Sequence, residues 1–144
     1  MNTDTDKFAI QNNQYDFPYH YIPHVNNGII EKHRVLSWGF EYMCYLLHCK
    51  QIVLKHRPRS LIDIGCGDGR FISLIKNDIE KILGVDLSTK AIGLARALNP
   101  EVEFQIVDIN NYTSQYDVAT LIEVLEHIPD EEMKNFLLSE SSPK

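Results

Sequence analysis

No apolar run in this 144-residue chain approaches the roughly 20 residues that a membrane-spanning helix needs. The opening residues, Met1 to Phe8, lack the basic-then-apolar order of a secretory signal. Cysteine is scarce as well. Cys44, Cys49 and Cys66 make an odd set without CxxC spacing, which argues against a disulfide scaffold or a zinc knuckle. Positive charge is also short: 14 Lys and Arg stand against 20 Asp and Glu, for a net charge of −6. Nonspecific attraction to a nucleic-acid backbone is therefore not expected, and the basic run from Lys50 to Arg59 reads as the solvated end of a helix. These absences together imply a reducing, cytoplasmic setting with neither membrane nor nucleic acid as partner.

What is present suits one globular domain, with 44% hydrophobic and 24% charged residues. Residues 1–28 form a polar, then aromatic N-terminal segment punctuated by Pro18, Pro23 and Gly28, which predicts turns and irregular backbone. Residues 29–57 read as helical, a lid ahead of the rest. Leu36, Phe40, Met43 and Leu47 make its apolar stripe, Gly39 is a candidate bend, and Pro58 is the stop. Residues 29–144 as a whole then read as one ligand-binding α/β domain, with βα units over 58–144.

Within 58–144 strands and helices alternate. Predicted strands are 61–64 (LIDI), 81–86 (KILGVD), 102–109 (VEFQIVDI) and 116–124 (YDVATLIEV). A helix runs from the glycine-rich turn to about Asn77. Ser88 caps another over 89–98, which Asn99-Pro100 ends. Pro129 and the acids Asp130, Glu131 and Glu132 suit the first turn of a last helix. This alternation predicts a doubly wound parallel sheet of the Rossmann-like kind.

The turn DIGCGDGR carries the most information. It lies between a strand and a helix, where Gly65 permits a sharp bend, Gly67 admits a ligand to bare backbone and Gly69 lets the helix start pack closely. A dinucleotide fingerprint would place its third glycine at position 70, which is Arg70, so the spacing is G-x-G-x-G with Asp63 two residues upstream. Asp86 ends the second strand, where a carboxylate can accept hydrogen bonds from both hydroxyls of a ribose. Asp108 ends the third, within reach of an adenine amino group. Three acids at successive strand ends converge on the carboxyl edge, where open α/β sheets bind ligands.

LIDIGCGDGR, GVDLS, VDI and YDVATLIEVLEHIPD, in that order over roughly 60–140, resemble the successive motifs of class I S-adenosylmethionine-dependent methyltransferases. The resemblance implies S-adenosyl-L-methionine as cofactor and methyl transfer to a small-molecule acceptor. It places Gly65, Cys66 and Gly67 against the methionine half with Asp63 nearby, Asp86 and Leu87 at the ribose, Asp108 and Ile109 at the adenine, and backbone near Ile122 and Glu123 as the remaining wall. A Rossmann-like domain for another nucleotide is the alternative.

The order Glu123-x-x-Glu126-His127 also resembles two branches of that superfamily, the ubiquinone-pathway O-methyltransferases and the small-RNA 2′-O-methyltransferases, where these residues are associated with a divalent metal. No histidine follows His127, and Pro129 disfavours helical geometry at Ile128. Three roles stay open: a structural cap, a metal site, or a general base or acceptor-orienting group at His127. His127 is the catalytic candidate, and no metal is assigned. The resemblance also implies a sheet of order 3-2-1-4, incomplete beside the seven strands of the full fold. An open edge on the fourth strand then becomes a surface for self-association. The expected function is accordingly a methyltransferase or its cofactor-binding part, the alternative being a noncatalytic remnant that binds the cofactor or a protein.

Overall fold

The computed structural model describes residues 24–31, 36–107 and 115–125. It divides into two compact units, Met1–Arg57 and Pro58–Lys144.

In the first unit, β1 (His24–Asn26) and β2 (Ile29–Glu31) pair antiparallel, with Val25 opposite Ile30. Asn27 (φ 49°) and Gly28 (φ 80°) form the two-residue link, and positive φ at both positions is what a hairpin turn of this length demands. Residues 29–31 are thus a strand, not the start of the expected helix. That helix, α1, is Leu36–Lys55, one element across Gly39. Its expected stripe is also displaced. Phe40 and Leu47 are exposed, whereas Leu46 and Val53, seven residues apart, are buried. Apolar residues ring this helix, so their spacing alone could not select the buried face. Arg57 (φ 50°) then takes the left-handed turn beyond the helix end, its N–H donating to the Leu54 carbonyl, before Pro58.

The second unit is the α/β part. Its elements are β3 (Ser60–Ile64), α2 (Arg70–Ile75), β4 (Lys81–Asp86), α3 (Thr89–Leu98), β5 (Glu103–Ile106) and β6 (Val118–Thr120). The four strands are parallel in the order β5-β4-β3-β6, which is the predicted 3-2-1-4. Strand residues directed to both faces are buried, which is why these strands are almost continuously apolar. Ile62, Ile64, Leu83 and Val85 form the core on one face with Tyr116 and Leu121. Phe104 joins Ile72 of α2 and Ile92 and Ala95 of α3 on the other. Ser88 caps α3 as expected, its hydroxyl oxygen accepting from the Ala91 N–H. Two strands are shorter than predicted. β5 ends at Ile106, and β6 spans three residues because the chain turns away from β3 after Thr120.

Candidate ligand site at the glycine turn

The turn from Gly65 to Gly69 leaves the sheet where β3 ends and enters α2. Its three glycines have φ of 69°, 55° and 74°, a left-handed run that side chains with a Cβ adopt at a cost. Gly65 and Cys66 both donate their N–H to the Val85 carbonyl, at 2.8 and 3.0 Å, so the turn is hung from β4 as well as β3. A Cβ on Gly65 would lie 2.4 Å from Cγ2 of Val124, and one on Gly69 3.0–3.2 Å from Asn99, Ala95 and Phe104. The predicted close packing at Gly69 is therefore real, and the segment after β6 is seated directly on Gly65.

Asp86 joins the turn to the next strand. Its Oδ2 accepts from the Gly67 N–H at 2.9 Å and its Oδ1 from the Ser88 N–H at 2.7 Å. Burial pushes the carboxyl upward, against the pull of the Ser88, Gly67 and Leu87 amides. Each carboxylate oxygen has two acceptor sites, so these bonds leave room for hydroxyls of a ligand. Leu87, the next residue, is exposed.

Asp63 lies deeper, 2% exposed. Its Oδ1 accepts from the Thr120 hydroxyl at 2.7 Å. Burial, opposed by that bond and assisted by the negative charge of Asp86, raises the carboxyl to about 7. Among the described residues no hydrogen bond reaches its Oδ2. Cys66 is buried too. Burial, then Asp63, Asp86 and Asp68, push its thiol well above the usual range, so it stays protonated and contributes backbone, not a nucleophile.

Two residues of this cluster were not singled out from sequence. Asp68 is buried, its Oδ1 accepting from the Arg70 N–H at 3.1 Å, an Asx turn that Asp two places before a helix could have signalled. Asn99, fully buried at the end of α3, donates its Nδ2 toward the carbonyls of Gly69 and Ala95 (3.4 Å each). Its Oδ1 accepts from Lys76, which also pairs with Glu101. Nothing in the local sequence announces that role, because its partners come from three segments.

The structure therefore brings Asp63, Gly65, Cys66, Gly67 and Asp86 to one place, with Leu87 and Glu123 at its exposed margin. Glu123 has φ 54°, so it does not stand on a helical face. Asp108, Ile109, Glu126 and His127 lie outside the described residues. Among the described residues no three His, Cys, Asp or Glu side chains group as metal ligands.

A bare glycine turn, locked by the acid of the next strand at the carboxyl edge of a 3-2-1-4 sheet, can be compared with known proteins. The family model of a methyltransferase domain matches residues 37–137. The chain belongs to that family. Among curated relatives, the ubiquinone biosynthesis O-methyltransferase of Thiobacillus denitrificans is 31% identical over 80 residues, which are 50% of this chain and 34% of that protein. The Azoarcus protein of the same name is 32% identical over 82 residues, 51% of this chain and 35% of its own. This methyltransferase-family chain thus spans about a third of the length of those relatives. Magnesium protoporphyrin IX methyltransferase from Synechocystis, solved with S-adenosylmethionine bound, superposes with a TM-score of 0.66 at 18% identity, covering 93% of this chain and 69% of that one. At that identity the likeness establishes the fold.

Proposed function

We propose that this chain binds S-adenosyl-L-methionine at the glycine turn and serves methyl transfer to a small-molecule acceptor. The observation that supports it most is the bond from Gly67 N–H to Asp86 Oδ2. It fixes main chain without side chains beside an acid that has acceptor capacity left for a ribose. The buried Asp63, with one oxygen unmatched among the described residues, fits a ligand that carries positive charge.

The cofactor supplies an activated methyl group on a sulfonium, and the protein's share of such a displacement is mainly alignment and exclusion of water. In this reading Gly65, Cys66 and Gly67 offer backbone to the methionine half, with Asp63 next to it. Asp86 grips the sugar and Leu87 covers it. Asp108 and Ile109 would meet the adenine, and backbone at Glu123 would close the wall. His127 would take the proton from an acceptor hydroxyl, as an imidazole base can. The name shared by the curated relatives, O-methyltransferase, favours an oxygen acceptor.

Calorimetry with S-adenosylmethionine tests the binding step, and formation of S-adenosylhomocysteine with a panel of small phenolic and sugar acceptors tests the transfer. Absence of heat defeats the assignment. Binding without turnover on any acceptor would leave a noncatalytic cofactor-binding unit.

A further inference from the structure

We propose that Thr120 is a positioning residue of this site: its hydroxyl turns and holds the Asp63 carboxylate so that Oδ2 is left for the cationic group of the ligand. The inference deepens the reading above and rests on it.

The geometry comes from strand register. Phe104, Gly84, Asp63 and Thr120 form one row across β5, β4, β3 and β6, so their side-chain positions fall on the same face of the sheet. Within this row Thr120 donates to Asp63 Oδ1 at 2.7 Å, closer than the 3.4 Å to its other acceptor, the Ile62 carbonyl. A threonine in a strand has few side-chain rotamers, so the donor is aimed before any ligand arrives. The carboxylate it holds is buried, 2% exposed, so bulk solvent stabilises it little.

The groups facing Asp63 are all neutral or acidic. Thr120 comes from β6 and Asp86 from the end of β4, and Cys66 from the turn feels Asp63, Asp86 and Asp68 together. Among the described residues no Lys, Arg or His interacts with Asp63. A buried carboxylate with one oxygen bonded and no facing cation is relieved either by a proton or by a positive ligand group. Thr120 is what favours its ionised form, against burial and Asp86.

The sign follows. With its carboxyl raised to about 7, Asp63 is protonated in mildly acidic solution and gives a cation little attraction. Ligand affinity should rise with pH and level off above that value. Without the hydroxyl, the titration midpoint moves up by about one pH unit or more, the size expected for losing a hydrogen bond to a charged group.

The test measures affinity for S-adenosylmethionine by calorimetry from pH 5.5 to 8.5 in the wild type, Thr120→Val and Thr120→Ser. In support, the Val profile shifts to higher pH with binding at pH 7 weakened about fivefold or more, while Ser retains the wild-type midpoint. The proposal is overturned if the Val protein weakens by the same factor at every pH, as a mere strand staple would, or not at all. Thr120→Ala replaces Val should that variant fail to fold. Carbon NMR titration of Asp63 in ligand-free protein separates the two levels of the argument. If the wild type binds no S-adenosylmethionine at any pH, the proposed function fails. An Asp63 midpoint that stays put in the hydroxyl-free variants defeats the role of Thr120 whether or not the ligand binds.

Discussion

The two ends of the same sheet use aspartate in opposite ways. At the amino edge, Asp117 is exposed, and its Oδ2 accepts from the N–H groups of Arg59 (2.8 Å) and Ser60 (2.9 Å). Ser60 returns the favour, its hydroxyl oxygen accepting from the Asp117 N–H at 3.0 Å. Those amides hold the Asp117 carboxyl below its ordinary value. Cations are close by: Arg59 pairs with Glu80, and Lys81 stands 4.9 Å over the Tyr116 ring. At the carboxyl edge, Asp63 and Asp86 are buried, both pushed upward chiefly by desolvation. The first arrangement is a finished clasp between β3 and β6. The second stores unspent capacity to bind positive charge and hydroxyls, which is how a site differs from a joint.

The largest effect that would break this contrast is at Asp86. Replacing it with alanine strands the Gly67 and Ser88 amides and removes the acid proposed to hold the sugar. Affinity for S-adenosylmethionine should fall on the order of 100-fold by calorimetry. Unchanged affinity would reduce Asp86 to a second clasp.

Next comes Asp63→Asn. A carboxyl raised in the folded state stabilises the fold below its unfolded value near 3.8, and that contribution is lost as pH rises to about 7. The amide has no such dependence. Urea melts should show the variant gaining stability relative to wild type between pH 4 and 8, on the order of a few kcal/mol at the upper end, while ligand binding weakens. An equal gain at both pH values would show that the wild-type carboxyl is not the group that titrates.

Gly65→Ala should cost about 1–3 kcal/mol through its positive φ and its collision with Val124. Adding Val124→Ala should recover the steric part only, a coupling read from a double-mutant cycle. Additive costs would mean that the segment after β6 is not seated on the turn. The smallest effect belongs to Asp117→Asn. Its lowered carboxyl stabilises the fold above its unfolded value and loses that role as pH falls, so the two proteins should differ slightly at pH 7 and converge near pH 3. Cofactor affinity should not move.

How much of this was legible in the sequence depended on the range of the signal. The glycine turn and the Ser88 cap follow from local residue chemistry, whereas the strand order came with the family resemblance, and all three stand as expected. The hairpin at Asn27-Gly28 had a local signal too, two turn residues between short apolar runs, but the helical pattern downstream was extended across it. The buried side of α1 was illegible because apolar residues occur all round the helix. The contacts that make the site are legible only in part. Asp63, Gly67 and Asp86 could be nominated, but the bonds Thr120–Asp63 and Gly67–Asp86 arise from strand register and turn shape, across 57 and 19 residues of chain.

Asn99 gives these relations a practical edge. Its amide reaches 30 residues back to the Gly69 carbonyl, while its oxygen accepts a hydrogen bond from Lys76, the lysine that ends the first helix of the α/β unit. The back wall of the ligand turn is therefore anchored from the far end of another helix. Anyone redesigning α3 for solubility or crystallisation would be retuning the cradle from behind, and position 99 belongs on the map of residues to leave alone.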